Sequence, residues 1–306
     1  VWVDKTLTTY SDLLTGFFRA VELVTKRAGV TSAAVDDVIV HATTVVTNAL
    51  IERKGPPTAL IVTEGFRDML SIRDEHRFEM YDTQIEFPDP LIPRELTFGV
   101  RERVAGNGEI LVPVDEAEVR ELAKELLGRG IRSVAICFLN SFKTAANELA
   151  VRDILREEMP EAFISVSSQT SPQIREYWRA STTSINAYTQ PIIQPYLRRL
   201  TNRLEEDGFS NKPLLMLSNG GIVGADFAGQ FPVRMIESGP AAGALAATWF
   251  AERLEVDDLL AFDMGGTTAK ACIIQNREPL VTGLFEVDRQ YRHAQGSGYP
   301  VTVSSI

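Results

Sequence analysis

A strand–turn–strand pattern near the C-terminal end constrains the fold more than any other feature of this chain. Residues 259–262 are apolar, an acid and a Gly-Gly-Thr-Thr turn follow, and residues 269–274 are largely apolar again. Paired glycines let the backbone take positive φ and approach a ligand closely, and threonine hydroxyls and free amides can donate to phosphate oxygens. An acid at this place can hold a cation through water. The residues of this hypothesis are Asp263 for the cation and Gly265, Gly266, Thr267 and Thr268 for phosphate.

The element after the glycines separates this turn from other phosphate-binding turns. A Walker loop or a dinucleotide fingerprint leads into a helix, whereas residues 269–274 form a second strand-like run. A phosphate-binding hairpin that opens with an acid is typical of the actin-like and sugar-kinase-like ATP-binding domains. A Gly-Gly turn between two strands is equally often a plain hairpin, so the turn taken alone leaves both interpretations open.

Composition restricts the class of protein and its partners. The 306 residues, 44% hydrophobic and 24% charged, are typical of a soluble globular protein of about two domains. A net charge of −10 does not indicate a positively charged surface of the kind that binds nucleic acids or anionic membranes. We therefore expect no nucleic-acid partner and no membrane partner. Cys137 and Cys272 lie in apolar strand-like runs, which indicates reduced core residues of a cytoplasmic protein. The three histidines lack the spacing of metal ligands.

Helix-like and strand-like patterns alternate over most of the chain, which predicts an α/β protein with mixed sheets flanked by helices. The pattern includes a strand at residues 233–237 and a long helix over residues 172–207. Because Pro191 and Pro195 each remove a backbone donor, we expect a break or kink in this helix. The same interruption is our predicted domain boundary. The resulting domains are residues 1–190 and 191–306.

Two further segments are candidates for binding an anion. Ser238 and Gly239 open a predicted helix, where free amides and the helix dipole attract anions, and a plain N-cap explains them equally well. Asn219, Gly220 and Gly221 follow a buried strand, where α/β proteins often place ligand-binding turns. A connecting turn is the simpler interpretation of that second segment.

Several single polar residues also have two interpretations. His41 could transfer protons, but a lone histidine at a strand end is more often hydrogen-bonded within the fold. Thr43, Thr44 and Thr47 could face a substrate carbonyl or phosphate, with N-capping as an equal alternative. Lys270 could add positive charge beside the phosphate turn, or could point outward from its strand.

Eight stretches of the chain occur in an order shared with one protein family. They include His-Ala-Thr-Thr, Thr-Glu-Gly-Phe-Arg-Asp, Ser-Asn-Gly-Gly, Glu-Ser-Gly-Pro-Ala-Ala-Gly, Asp-Met-Gly-Gly-Thr-Thr and Gly-Ser-Gly-Tyr-Pro. In this order the chain resembles the hydantoinase A, oxoprolinase and ketone-carboxylase family of the actin-like ATPase superfamily. The resemblance implies a ribonuclease H-like, actin- or sugar-kinase-type ATPase fold. Residues 1–190 would be the N-terminal hydantoinase/oxoprolinase domain, and residues 191–306 the start of the C-terminal hydantoinase A domain with its second phosphate loop.

The resemblance also implies an activity that consumes ATP. Such an enzyme would phosphorylate an unreactive carbonyl oxygen, with Mg²⁺ bridging the phosphates. Asp263 would then be the catalytic and metal-shell residue. The ATP-binding residues would be Gly265, Gly266, Thr267, Thr268, Ser238, Gly239, Asn219, Gly220 and Gly221.

The resemblance leaves the reaction open between three hypotheses. The leading one is the ATP-using subunit of a hydantoinase- or oxoprolinase-type hydrolase of a hydantoin or lactam, beside a larger hydantoinase B-type subunit. The close alternative is a ketone carboxylase subunit that phosphorylates an enol or bicarbonate. The more remote alternative is an actin-like ATPase that moves domains without metabolite chemistry.

Two family elements are not among the 306 residues. Members of the family begin with an Asp-x-Gly-Gly-Thr-Phe-Thr-Asp phosphate loop, which we expect upstream of Val1. They also carry a segment of the Gly-Ala-Gly-Gly-Gly-Ser type, which we expect soon after Ile306. The expectation is therefore an internal excerpt of a longer protein, holding one of two phosphate loops.

Overall fold

The computed structural model describes residues 1–9, 12–35, 38–264, 269–291 and 293–306. Its helices are α1 (Leu13–Ala28), α2 (Val45–Ile51), α3 (Met69–Ile72), α4 (Glu116–Gly128), α5 (Ala146–Glu158), α6 (Ser167–Thr170), α7 (Glu176–Glu206), α8 (Ala225–Gln230) and α9 (Ser238–Leu254). Its strands are β1 (Val40–His41), β2 (Thr58–Thr63), β3 (Thr97–Val100), β4 (Arg103–Val104), β5 (Ile110–Val112), β6 (Ser133–Cys137), β7 (Phe163–Val166), β8 (Leu214–Met216), β9 (Ile222–Gly224), β10 (Leu259–Met264), β11 (Ala269–Gln275), β12 (Glu278–Pro279), β13 (Phe285–Val287) and β14 (Tyr299–Val301). Short 3₁₀ segments are Ser32–Ala34, Arg94–Leu96 and Pro232–Met235.

A four-stranded parallel sheet organises the first half of the chain, in the order β3-β2-β6-β7. Alternate residues of β2 face opposite sides: Ala59 and Ile61 pack with α4 and α5, while Leu60 and Val62 pack with α7. Both faces are covered, so β2 is apolar on both sides rather than alternating with polar residues. This arrangement confirms the predicted mixed α/β class with flanking helices.

Helix α7 runs without interruption through Pro191 and Pro195, so the predicted break is wrong, and the alternative of a kink stays a prediction. A proline at position 191 cannot donate to the carbonyl of Ala187, four residues earlier. The hydroxyl of Ser133 on β6 donates to that carbonyl instead, at 2.6 Å. The sheet thus supplies the hydrogen bond that proline removes, and the helix continues. The domain boundary proposed after residue 190 falls within this helix and stays a prediction.

The second half of the chain forms smaller sheets around a second core. β1, β8 and β9 form one sheet, β10, β11 and β12 another, and β13 pairs with β14. The core between α1, α2 and the C-terminal half of α7 includes Leu14, Val46 and Leu197. Over the described residues, α7 included, no helix combines the length and the apolar character that crossing a membrane requires.

Residues 233–237 do not form the predicted strand. Pro232 begins a 3₁₀ turn that ends at Met235, because its fixed φ favours the first position of a helical turn. The apolar side chains of Val233, Met235 and Ile236 are nevertheless buried, which explains why the segment looks like a strand in sequence. The hydroxyl of Ser218 donates to the carbonyl of Ile236 at 2.5 Å and fixes the end of this turn.

Candidate functional site

The hairpin predicted near the C-terminal end is present in the structure. β10 and β11 pair antiparallel along their length, and Asp263 lies opposite Lys270 at the second-last pair before the turn. The turn itself, with Gly265, Gly266, Thr267 and Thr268, lies outside the described residues. The strands therefore confirm the hairpin, while the phosphate-binding role of its turn stays a prediction.

A cleft of about 760 Å³ separates the hairpin from α9 and from the C-terminal segment. Protein sites for small molecules typically have volumes of about 300–1,000 Å³, so a nucleotide fits in a space of this size. The α9 side of the cleft is made of small residues, which leaves the space open. The wall contains Glu237, Pro240, Gly243, Ala244, Ala247, Ala261, Phe262, Asp263, Ala269, Lys270, Ala271, Cys272, Thr282, Phe285, Glu286, Arg289, Ser305 and Ile306.

Glu237 and Lys270 connect the two sides of this cleft. Glu237 directly precedes α9 with a left-handed backbone (φ 66°), and its carboxylate forms an ion pair with the ammonium of Lys270. Burial lowers the pKa of Lys270. Lys270 therefore lies in the wall of the cleft with its charge paired to Glu237, rather than pointing outward from β11.

Sequence reasoning did not select Glu237 as a site residue. Its position directly before Ser-Gly-Pro, where an anion site was predicted, is the signal that could have identified it. Together with Asp263 it gives the cleft two carboxylates that face the space between α9 and the hairpin. Glu286, a third acid in the wall, is engaged as Glu237 is: it accepts hydrogen bonds from the backbone of Gly296 and from Arg289.

The predicted anion-binding residues at the start of α9 are anchored to α2. The hydroxyl of Ser238 is buried and donates to the carbonyl of Thr43 at 3.1 Å. The amide of Glu237 donates to the hydroxyl of Thr47 at 3.4 Å. Thr43 and Thr47 thus position the start of α9 from within the fold. Gly239 lies beside Thr44, and the roles of Ser238 and Gly239 in binding a nucleotide stay predictions.

The Asn219-Gly220-Gly221 segment is the turn between β8 and β9. Gly220 has φ 81° and packs so closely on α9 that an added Cβ would lie 2.8 Å from a methyl carbon of Leu245. Asn219 accepts a hydrogen bond from the amide of Gly221 and lines a different, smaller pocket. The connecting-turn interpretation therefore accounts for this geometry, and a nucleotide-binding role for the three residues stays a prediction.

His41 is a structural residue in this fold. Its side chain is buried, its Nε2 lies 2.8 Å from the hydroxyl of Tyr196, and Phe17 packs edge-on against its ring. Burial lowers the pKa of His41 from its ordinary 6.5 to about 4. The folded protein therefore keeps His41 neutral at physiological pH.

This buried histidine predicts a loss of stability on acidification. The unfolded chain binds a proton at His41 below about pH 6.5, whereas the folded protein does so only near pH 4. The contribution of neutral His41 to the free energy of unfolding is complete above pH 6.5 and is lost as the pH falls towards 4. Between pH 7 and pH 5 the loss is about 2 kcal/mol. Denaturant unfolding at both pH values measures this effect. We expect the variant His41→Gln to lose this pH dependence of stability and the control His76→Gln, at an exposed site, to keep it. Equal pH dependence in the wild type and both variants would contradict the assignment of the effect to His41.

The two cysteines differ in their surroundings. Both are free, and Cys137 is buried in the sheet with its pKa raised to about 11, chiefly by burial. Cys272 is only partly buried and lies in the wall of the cleft. The predicted core position is confirmed for Cys137 and is wrong for Cys272, and the reduced state of both stays a prediction.

A second large cleft, of about 900 Å³, lies between α1 and the C-terminal half of α7. Two of its three arginines are paired with acids of the same cleft, Arg199 with Asp12 and Arg203 with Asp207. Its wall has more acids than arginines, and no residue predicted to bind phosphate lies in it. The cleft beside the hairpin is therefore the stronger candidate for a phosphate ligand.

Solved structures with the same fold define the class of this protein. A nucleotide-free structure of acetone carboxylase superposes with a TM-score of 0.84 at 23% identity, over 98% of this chain and 43% of that chain. The ATP-dependent caprolactamase from Pseudomonas jessenii superposes with a TM-score of 0.82 at 28% identity, over 97% of this chain and 42% of that chain. The predicted mixed α/β fold of the actin-like ATPase type is confirmed.

Sequence comparison then gives the family. The profile of the hydantoinase/oxoprolinase N-terminal region matches residues 1–159, and the hydantoinase/oxoprolinase profile matches residues 179–306. The chain belongs to the hydantoinase/oxoprolinase family.

Individual relatives differ in the reactions that their names describe. The acetophenone carboxylase gamma subunit of Aromatoleum aromaticum is 33% identical over 89% of this chain and 39% of its own length. The caprolactamase subunit alpha of Pseudomonas jessenii is 32% identical over 76% of this chain and 34% of its own length. An uncharacterized protein of Methanocaldococcus jannaschii is 40% identical over 87% of this chain. The chain spans about 40% or less of the length of these relatives.

Proposed function

We propose that this chain is the ATP-using part of an enzyme that activates the carbonyl of a cyclic amide by phosphoryl transfer before hydrolysis. The observation that carries the proposal is the cleft in which Asp263, Glu237 and Lys270 meet beside the predicted phosphate turn. Family membership and relatives named as a caprolactamase and a 5-oxoprolinase support it.

The chemistry explains why ATP would be a substrate here. An amide carbonyl is a poor electrophile, and transfer of the γ-phosphoryl group of ATP to its oxygen, with ADP leaving, makes the carbonyl carbon open to attack by water. The adduct then expels the ring nitrogen as an amine, which breaks the C–N bond, and hydrolysis of the resulting acyl phosphate releases phosphate and the carboxylate. In phosphoryl transfer the protein mainly positions the reactants and neutralises charge. In this cleft, the small residues of α9 admit the phosphates and the start of α9 supplies the positive end of the helix dipole. Lys270 would add positive charge when a phosphate replaces Glu237 as its partner.

The oxygen ligands of the cleft fit Mg²⁺. This ion is usually held by one or two carboxylates together with waters and substrate phosphates. Asp263 on the hairpin and Glu237 before α9 supply such carboxylates, and the described residues contain no cluster of three or more potential ligands that would form a complete protein site. Asp263 would hold the ion through water, and Glu237 would take part when its ion pair with Lys270 opens. Bound Mg²⁺ would neutralise phosphate charge.

The second candidate reaction is ATP-dependent carboxylation of a ketone. It is favoured by relatives named as the acetophenone carboxylase gamma subunit and the acetone carboxylase beta subunit. In that case the phosphoryl acceptor would be an enol or bicarbonate. Several of these relatives are named as subunits, so we propose a larger hydantoinase B-type partner for either reaction.

Product analysis of the intact complex distinguishes the reactions. Purified complex is incubated with ATP and Mg²⁺ and with either a lactam or hydantoin, or a ketone plus bicarbonate. We expect ADP formation that depends on the cyclic amide and equals the amount of ring-opened product. ADP formation only with ketone and bicarbonate would replace the leading proposal by the carboxylase. ATP hydrolysis that is independent of all these compounds, without a changed metabolite, would favour an actin-like ATPase.

A further inference from the structure

A polar pocket separate from the cleft lies under the C-terminal segment. It has a volume of about 150 Å³ and is lined by the ends of α6, β8 and β14 and by the turn that contains Asn219. Residues 302–304 line this pocket, whereas Ser305 and Ile306 line the cleft, and the two walls share no residue among the described parts of the chain.

Arg234 is the only charged residue in the described wall of this pocket. Its Nε is buried and has no hydrogen-bond partner, and no ion pair to its guanidinium is present in the described residues. The rings of Phe227 and Phe231 flank the guanidinium, with centroids 5.9 and 5.7 Å from its central carbon. The charge is thus held in place by aromatic rings and has no counter-ion among the described residues.

The rest of the wall supplies neutral polar groups. The hydroxyls of Ser171 and Thr302 are buried and lie 2.5 Å apart, and Thr302 also contacts the hydroxyl of Thr182 at 2.9 Å. The side-chain amides of Gln173 and Asn219 lie at the exposed edge. A pocket with one fixed cation, several hydroxyl and amide groups and no acid is suited to a singly charged anion.

We propose that this pocket binds a small planar carboxylate. A guanidinium presents parallel donors that match the two oxygens of a carboxylate, and such charge-assisted pairs are strong when they are shielded from water. A pocket of about 150 Å³ has room for a group of the size of acetate or bicarbonate. One positive charge does not balance a phosphate dianion. The site would select the carboxylate of a metabolite or bicarbonate, independently of ATP binding in the cleft.

Ligand-observed NMR of the intact protein tests the site. The ¹³C line widths of labelled acetate and of labelled bicarbonate, and the ³¹P line width of phosphate, are followed at constant ionic strength. We expect saturable broadening of acetate or bicarbonate, and the two ¹³C titrations show which source of carboxylate binds more tightly. The variant Arg234→Gln is expected to weaken this binding about tenfold or more. Arg253→Gln is the matched control, because Arg253 also stacks on an aromatic ring but lies outside the pocket.

A second variant keeps the test decisive if Arg234→Gln does not fold. Asn219→Asp preserves the exposed turn, since the new carboxylate still accepts from the amide of Gly221, and it adds a negative charge to the wall. Binding is expected to weaken about tenfold or more in this variant as well. Three results would overturn the proposal. The wild type shows no saturable broadening, or all variants bind equally well, or phosphate binds more tightly than both carboxylates in a manner that depends on Arg234.

Discussion

Replacing Asp263 by asparagine is expected to lower ATP turnover by the intact protein at least about a hundredfold. Asparagine preserves the size and most of the hydrogen-bonding capacity of the side chain but removes the negative charge that would hold Mg²⁺ beside the phosphates. Because Asp263 is exposed on β10, the change is expected to leave stability within about 0.5 kcal/mol. ADP release under saturating cyclic amide measures turnover, and denaturant unfolding measures stability.

The matched control for this prediction is Glu278→Gln. Glu278 is an exposed acid on β12 of the same sheet and lies outside the wall of the cleft. The variant Glu278→Gln loses the same negative charge as Asp263→Asn and should keep the ATP turnover of the wild type. Unchanged ATP turnover in Asp263→Asn would remove the hairpin from the mechanism, and an equal loss in Glu278→Gln would show only a general effect of charge.

Replacing Arg179 by methionine is expected to destabilise the fold by about 3–5 kcal/mol. Arg179 is fully buried, and its guanidinium donates to the carbonyls of Phe138 and Gln173 and to the hydroxyl of Ser167, at 2.5, 2.8 and 3.0 Å. Methionine fills much of the space but removes three donated hydrogen bonds from these acceptors. The free energy of unfolding from denaturant titration measures the loss.

Arg175→Met provides the comparison one turn earlier in the chain. Arg175 is exposed and stacks on Trp178, and its side chain makes no hydrogen bond or ion pair among the described residues. Its replacement is expected to cost less than about 0.5 kcal/mol. A similar small loss in Arg179→Met would contradict the view that this buried arginine holds the ends of β6 and α6 against the start of α7.

The fold class could be predicted because local patterns and tertiary packing agree over most of the chain. The apolar run of β2 and the amphipathic pattern of α4 each specify an element without knowledge of the neighbours. The exceptions depend on distant residues. α7 continues past Pro191 because Ser133 supplies a hydrogen bond to Ala187, and no pattern within the helix reveals that partner.

The candidate site was only partly predictable for the same reason. Asp263 could be assigned because a strand, an acid and a glycine turn are contiguous in sequence. The ion pair of Glu237 and Lys270 joins residues that only folding brings together, and Arg234 has no sequence signature, since an unpaired charge is visible only in three dimensions. Asn219 was linked to the nucleotide through its motif, whereas the structure places it at the smaller pocket.

The location of a bound nucleotide tests the central proposal most directly. A crystal or electron cryo-microscopy structure of the intact protein with a non-hydrolysable ATP analogue and Mg²⁺ would show where the triphosphate lies. The proposal predicts phosphates between the start of α9 and the β10–β11 hairpin, with Asp263 facing the metal through water. A triphosphate bound in the cleft between α1 and α7, or anywhere beyond reach of Asp263 and Lys270, would contradict it.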